Sequence, residues 1–583
     1  MKRIYPRIKF SGNQFADTLS AIFAENLEDL LEKVETKENP PFPKGFMHTS
    51  TVQHEGTCYY RNSWSRDAGR GVQELARFGF MDEAMACSEY FLAQLKGREK
   101  WGRIVNGSGD GCETDGNTHI LNSLYQIWKS SGCNKETGTK FITETKPVFK
   151  WFKDLMKECP YGYLAVCHSE LAGNPAGLSP DVYAIYPNYG IWVVLNAYEK
   201  MARKCGLISE ADYFNEEAVK LKQAITEKLV SKEGVFTLIP HGVWLNGIDG
   251  RNGSSYEFAH YGRNRFYIHK WTRQIPFIQD FDYDNPDIAG GISDEVNQTS
   301  YDYILREMAK GYFFRKYGFV SNTCWEGAGG RHDDTMCGYG QNYMTQAALM
   351  ADDVNAYSKC IEGIARLGYD GDIIEPLSFE MNPWIMHECF NYDNYEAGLD
   401  HTFGRYGDDS RDIMNNPGDE GNLVQAAETL KSVALMAGLE FDQDNKTLVF
   451  KPRIPWDFNE MKLIDYPLFD SEGINRTELT YRQERWLRKT FLNIKTERPI
   501  DICKLRFGPY AHHFPEKASY LVYPRRDNSG YVITKPEIAE NQKENLDLAA
   551  GTQCGLLQTK NATWIAVKDL KMNGNSLVIE VIL

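Results

Sequence analysis

The chain has no long apolar run. No stretch approaches the roughly 20 consecutive apolar residues of a membrane helix, so no span and no membrane partner are expected. Nor does an apolar segment follow the charges of Met1-Lys2-Arg3-Ile4-Tyr5-Pro6, so no secretory leader is visible and a cytoplasmic location is expected, although a secreted chain trimmed of its leader would read the same. Paired cysteines are missing too. The 13 Cys are odd in number and scattered, without a CxxC pair or metal-ligand spacing. That pattern excludes a disulfide scaffold, points to reduced and mostly buried thiols, and gives no reason to expect a metal or another cofactor. Positive charge is in deficit: 65 Lys and Arg face 80 Asp and Glu, for a net charge of −15. Phosphate backbones need a basic surface, so this balance argues against a nucleic-acid partner. Nothing in the composition fixes an oligomeric state.

What the chain does have is length and aromatic rings. Its 583 residues exceed what a single core usually supports. Hydrophobic residues at 42% and charged residues at 25% are ordinary for a globular protein, whereas 13% aromatics is high, with 33 Tyr and 12 Trp. Flat rings serve either a large core or a surface on which sugar rings stack.

Helical periodicity dominates residues 1–440. Apolar residues at three-to-four spacing predict helices over 14–35, 68–78, 82–96, 116–131, 141–157, 187–205, 209–230, 293–316, 339–350, 353–367 and 421–437. A further short helix is placed over 264–275, and Gly234–Pro240 reads as a strand. Glycines stand in the stop position after several of these segments, at Gly132, Gly206 and Gly438. Twelve alternating helices predict six hairpins closed into an (α/α)6 toroid. If the odd helices are outer and the even ones inner, the long connections all precede inner helices: 36–67, 98–115, 158–186, 231–263, 317–338 and 368–420. One end of the toroid is then elaborated and the other plain, an arrangement that puts function at the elaborated end. The parity of the last two loops depends on the helix at 264–275. After residue 440 the pattern changes to short apolar or alternating runs between Asn, Asp and Gly turns, including 447–452, 491–494, 502–507 and 576–583. We expect a catalytic toroid over 1–440 and a β-rich, sandwich-like domain over 441–583.

The loops ahead of the inner helices collect the chemistry. The fifth holds Cys324-Trp325-Glu326-Gly327-Ala328-Gly329-Gly330-Arg331-His332-Asp333-Asp334, which sets an aromatic plate, a carboxyl group and a glycine run side by side. Cleaving a glycosidic bond needs these parts: a flat apolar face for the sugar, an acid to move a proton, and backbone free to approach. Arg331 and His332 add hydrogen-bonding groups to the same loop. The first loop ends in Trp64-Ser65-Arg66-Asp67, where a guanidinium and a carboxylate together suit vicinal hydroxyls. The second carries Asp110, Glu113, Asp115 and His119 among glycines. Asp115 also reads as a helix N-cap, and the three acids also suggest a calcium loop, though without the EF-hand pattern. The third offers Asp181 and Tyr186; the sixth ends in Asp419-Glu420 ahead of the last helix. Tyr256, His260, Tyr261, Arg263 and Arg265, in and just after the fourth loop, would suit a uronate-cleaving lyase.

The run Trp64, Arg66, Asp67, then Gly79, Asp82, Glu83 and Ala84, together with Glu113-Thr114-Asp115-Gly116-Asn117, resembles the six-hairpin glycosidases: glucoamylases, trehalases and glycogen-debranching glucosidases. The resemblance implies an (α/α)6 barrel, a carbohydrate substrate, and sugar-binding roles for Arg66 and Asp67. Glucoamylases place a Trp-Glu acid near the third loop; here that position has only Asp181, and the Trp-Glu pair occurs two hairpins later as Trp325-Glu326. Hydrolases resembling this chain are generally inverting. The expectation is therefore an exo-acting, inverting hydrolase of an oligo- or polysaccharide, with a glucoside or glucuronide as candidate substrate. Glu326 is its general acid, Glu420 its base, and Glu113 and Asp181 are the reserve catalytic carboxyls. Trp64, Arg66, Asp67, Asp115, Tyr186, Trp325, Arg331 and His332 are the candidate substrate-binding residues. A polysaccharide lyase and a non-catalytic carbohydrate-binding protein remain alternatives.

Overall fold

The computed structural model describes residues 3–50, 62–107, 114–166, 182–236, 238–240, 296, 299–300, 302, 306, 309, 312–320, 335–368, 384–386, 389–391, 423–484, 488–515 and 517–583. Strand β1 (Arg7–Ser11) opens the chain. Helices α1 (Gln14–Glu32), α2 (Ser65–Arg77), α3 (Met81–Leu95), α4 (Thr114–Ser130) and α5 (Lys135–Glu158) follow. Next come β2 (Val182–Ala184), α6 (Ile185–Cys205), α7 (Ile208–Lys228) and β3 (Leu238–Pro240). The helical part ends with α8 (Tyr312–Tyr317), β4 (Thr335–Cys337), α9 (Gly338–Met350), α10 (Val354–Leu367), β5 (Cys389–Asn391) and α11 (Leu423–Ala437). Each helix expected within the described residues is present to within a few residues of its predicted bounds, except the segment 293–316, of which α8 is the continuous described part. The helix predicted at 264–275 lies outside the described residues.

The alternation of inner and outer helices is visible in what each one buries. All 13 residues of α2, all 17 of α4 and all 15 of α11 are buried. A helix buried all round, polar residues included, must be wrapped by others. By contrast α1, α3, α5, α7 and α10 keep one exposed face, as outer helices do. The inner helices pack on one another in ring order, α2 on α4, α4 on α6, and α9 on α11, which returns to α2. The inner set contains the second, fourth, sixth, tenth and twelfth helices of the predicted series, so the even helices are inner. Close approach requires small residues. A Cβ on Gly69 of α2 would stand 2.6 Å from the His119 carbonyl carbon of α4, and one on Gly116 would meet Ser65 Oγ at 2.1 Å.

Two short ribbons were not anticipated as ribbons. β2 pairs with β3, the strand expected near 234–240, and β4 pairs with β5, both antiparallel. β2 runs directly into α6 and β4 directly into α9. They add structure to the end of the toroid where the inner helices begin.

The remainder is β-rich. Strands β6 (Leu439–Asp442), β7 (Thr447–Phe450), β8 (Glu460–Asp470), β9 (Gly473–Glu484), β10 (Lys489–Thr496) and β11 (Ile502–Tyr510) lead the second half. They are followed by β12 (Leu521–Pro524), β13 (Tyr531–Thr534), the short helix α12 (Pro536–Glu540), β14 (Thr552–Gln553), β15 (Gly555–Gln558), β16 (Thr563–Leu570) and β17 (Ser576–Ile582). One sheet has the order β1-β8-β9-β10-β17-β13-β12-β14 and the other β15-β16-β11-β7-β6. Period-2 burial explains β10, in which Thr490, Leu492, Ile494 and Thr496 point inward. β8 is not among the strands expected from the sequence, and it contains Pro467. β1 pairs with β8 only over 460–464, so Pro467 sits beyond that ladder and its missing N–H costs no bond there. The N-terminal strand β1 thus belongs to the sheet built by the far end of the chain.

One apolar core runs through helices and sheets alike. A polar bolt joins them as well. Asp352, in the turn between α9 and α10 with φ 52°, accepts from Trp564 Nε1 and Arg453 Nε, each at 2.9 Å. Seven of the described cysteines are free thiols, six of them buried, and burial pushes Cys503 and Cys554 up to about 12. No described helix is long and apolar enough to cross a membrane.

Candidate active site

Arg66, Asp67, Asp115 and Tyr186 come together where α2, α4 and α6 begin. Arg66 and Asp67 occupy the first turn of α2, Asp115 the second position of α4, and Tyr186 the second position of α6. All four are buried, Asp115 and Tyr186 completely. Arg66 Nη1 lies 3.4 Å from Asp115 Oδ2, closer than Arg66 Nε to Asp67 Oδ2 at 3.9 Å. The Arg-Asp pair adjacent in sequence is therefore opened toward a second carboxylate from the neighbouring helix. Asp115 does not act as a simple N-cap. Its Oδ1 accepts the Gly116 N–H at 3.0 Å, and its Oδ2 accepts the Tyr186 hydroxyl at 3.0 Å. Behind them His119 Nε2 stands 3.2 Å from the Tyr186 oxygen. Because that hydroxyl donates to Asp115, the network places the imidazole proton on Nε2.

The physical logic is that of a buried ion cluster. A carboxylate removed from water is tolerated only where hydrogen bonds replace its hydration, and Asp115 has three donors. Asp67 and Asp115 also stand in helix first turns, where the macrodipole favours an anion by about 0.3–1 kcal/mol each. Trp64 borders the cluster. Its N–H donates to Thr49 Oγ1 at 3.1 Å, and the Arg103 guanidinium lies 4.5 Å from its ring centroid. Trp64 is half-buried.

Three parts of the inner ring were not expected from the sequence. His119 was noticed only as a neighbour of the acids, and Arg103 was not singled out. The third is a charged column inside the ring. Arg70 bonds Glu428 of α11 at 2.7 Å and Glu74 at 3.1 Å, and also Gln73; Glu74 bonds Arg77 at 3.0 Å; Arg77 reaches Glu440 at 3.3 Å. Their signal was in plain sight, since Arg66, Arg70, Glu74 and Arg77 recur at helical spacing. A charged stripe of that kind reads as a solvated face, and in a toroid it faces the axis instead.

Lys431 stands in the same column. Burial drives its amine well below the ordinary lysine value, opposed by the Glu428 carboxylate. The unfolded chain takes up this proton below about pH 10.4 while the folded chain resists it, so stability is lost as pH falls from that point. Lys431→Met, which removes that penalty, should raise stability at pH 7. The gain should shrink as the pH approaches 10. Urea midpoints at the two pH values measure it, and a gain unchanged by pH would contradict this account.

The remaining candidates lie outside the described residues: Glu326, Glu420, Glu113 and Asp181 among the carboxyls, and Trp325, Arg331 and His332 among the binding groups. So do Asp110 of the alternative calcium loop and Tyr256, His260, Tyr261, Arg263 and Arg265 of the lyase alternative. Among the described residues no group of His, Cys, Asp and Glu is arranged to hold a metal ion.

An (α/α)6 toroid joined to a β-rich C-terminal region, with ionisable groups gathered where its inner helices begin, is a fold shared with known glycosidases. No protein-family model matches the chain, and no curated protein sequence is similar to it. Among solved structures it is similar to the α-L-rhamnosidase from Dictyoglumus thermophilum, at 10% identity and a TM-score of 0.54, covering 98% of this chain and 50% of that one. The Streptomyces avermitilis α-L-rhamnosidase complexed with L-rhamnose is similar at 9% identity and a TM-score of 0.52, covering 100% and 42%. A sialidase is similar at 11% identity and 0.51, covering 84% and 40%. The chain spans half or less of the length of each, and the likeness is one of fold.

Proposed function

We propose that the chain is a glycoside hydrolase that removes a terminal sugar from an oligo- or polysaccharide with inversion at the anomeric carbon. The observation that carries this reading is the convergence of Arg66, Asp67, Asp115 and Tyr186 at the start of three adjacent inner helices. Residues 1–440 form the catalytic part and 441–583 buttress it. Arg66, Asp67, Asp115, Tyr186, Arg331 and His332 hold sugar hydroxyls, while Trp64 and Trp325 offer apolar faces. Glu326 donates the proton to the leaving oxygen. Glu420 takes one from the attacking water, and Glu113 and Asp181 stand in reserve. Inversion requires the two carboxyls about 6.5–9.5 Å apart, which leaves room for that water.

Support comes from a fold shared with proteins that act on different sugars, two of them named rhamnosidases and one a sialidase. That spread leaves the sugar open among deoxyhexosides, acidic sugars, glucosides and glucuronides. A panel of 4-nitrophenyl glycosides that includes α-L-rhamnoside, α- and β-glucoside and β-glucuronide tests the reading, with the first-formed product anomer followed by proton NMR. The expected result is phosphate-independent release of a free sugar of inverted configuration. An unsaturated, ultraviolet-absorbing product from a uronate polymer would replace the hydrolase by a lyase. Binding without turnover across the panel would leave a carbohydrate-binding protein.

A further inference from the structure

Three inner helices meet on one carboxylate. Glu428, in the second turn of α11 and completely buried, accepts from Arg70 Nε of α2 at 2.7 Å through one oxygen. Its other oxygen accepts from Gln346 Nε2 of α9 at 2.8 Å. A second tie runs beside it: Asn342 of α9 donates to Thr429 Oγ1 at 2.9 Å and accepts from Ser432 Oγ at 2.9 Å. These helices are not an arbitrary trio. α2 carries Arg66 and Asp67 in its first turn. α9 follows, across the short strand β4, the segment that contains Trp325 and Glu326. α11 follows the segment that ends Asp419-Glu420-Gly421-Asn422. α2 therefore begins at the sugar-binding pair, α11 starts three residues past Glu420, and α9 starts 12 residues past Glu326 in sequence. Arg70 stands one turn past Arg66, about 6 Å along the axis at 1.5 Å per residue.

We propose that Glu428 is a positioning residue, a hub that fixes the height and rotation of α2, α9 and α11 against one another and so sets the spacing of acid, base and sugar-binding pair. The inference rests on the hydrolase reading. A charge-assisted bond has a preferred length and direction, whereas an apolar contact tolerates sliding and rotation. The carboxylate thus defines a register that packing alone leaves loose. That register matters because misplacing a reacting group by about 1 Å can cost about 100-fold in rate.

The test uses the full chain, Glu428→Gln and Gln346→Leu, and the 4-nitrophenyl glycoside that wild type turns over best. Glu428→Gln removes one of the two carboxylates that Arg70 bonds, the one on α11; Gln346→Leu removes only the arm to α9. Expected is a folded protein by circular dichroism with kcat lowered about 100-fold in Glu428→Gln. Gln346→Leu should follow in the same direction by a smaller factor, with KM nearly unchanged in both. Arg70→Lys, which keeps the charge and loses the guanidinium fork, should fall between wild type and Glu428→Gln. A merely structural role would lower the melting temperature and leave kcat of the folded variants at the wild-type value, and that result overturns the proposal. If Glu428→Gln does not fold, Gln346→Leu decides alone. Its crystal structure supplies a readout that needs no substrate: the Gln341-to-Leu423 separation, between α9 and α11, should change by about 1 Å, and an unchanged separation also overturns the proposal. Failure of the hydrolase reading looks different. There the wild-type chain releases no free sugar from any glycoside of the panel, and the crystallographic separation alone tests the Glu428 hub.

Discussion

Glu420→Gln should lower kcat by about 10²–10⁴-fold on every glycoside the protein cleaves, and Glu326→Gln should do so only on substrates with a poor leaving group. The difference follows from where each proton goes. The base must deprotonate water whatever sugar or aglycone is bound, so no substrate bypasses it. The acid protonates the departing oxygen, and a nitrophenolate departs well without a proton. Glu326→Gln should therefore retain much of its nitrophenyl glycoside activity and lose cleavage of a disaccharide of the same sugar. The pH profile separates the two roles independently. A general acid must be protonated to act, so its removal abolishes the alkaline limb of the kcat/KM profile; a general base must be ionised, so its removal abolishes the acid limb. Wild-type disaccharide turnover by Glu326→Gln would end its assignment. If Glu420→Gln is active while Glu113→Gln or Asp181→Asn is dead, the base belongs to a reserve carboxyl.

The architecture was legible because helical period and loop length are both linear in sequence. Alternating helices with long connections before the even members define which end of a toroid is elaborated, and buried α2, α4 and α11 are the inner helices so defined. Contacts across the ring are not linear. Nothing near Arg66 in the chain announces that its nearer carboxylate comes from α4 rather than from Asp67 next door. The same limit hid Glu428, which is one acid among many until α2 and α9 are laid against it. β8 carries a proline, which a local rule sets against strand, yet Pro467 lies past the end of the β1 ladder and costs no bond there. The polar stripe of α2 is silent in the sequence because amphipathicity assumes that a polar face meets water. In a toroid the axis is itself polar, so a charged helix face can be the most deeply buried surface in the molecule.

Asp115→Ala should be the most destabilising single change at the site, at about 3–5 kcal/mol. It leaves the Arg66 guanidinium buried, with its nearer described carboxylate gone. Asp67 lies 3.9 Å away and offsets part of the loss. Tyr186→Phe removes one bond to the carboxylate and should cost about 1.5–3 kcal/mol. The pair as a whole is another matter. Replacing both charges by apolar groups, Arg66→Met with Asp115→Leu, removes the desolvation penalty together with the attraction, and such swaps are often neutral or stabilising. Chemical denaturation followed by near-ultraviolet circular dichroism should thus find the double variant near wild-type stability and well above Asp115→Ala. That same variant should bind sugar poorly and turn over little, because two of the groups proposed to meet the hydroxyls are gone. Stability restored with activity absent would mean that the fold does not need this ion pair and the chemistry does. If the double variant is instead as unstable as Asp115→Ala, the cluster is part of the scaffold, and the sugar-binding role of Arg66 and Asp115 loses its physical argument.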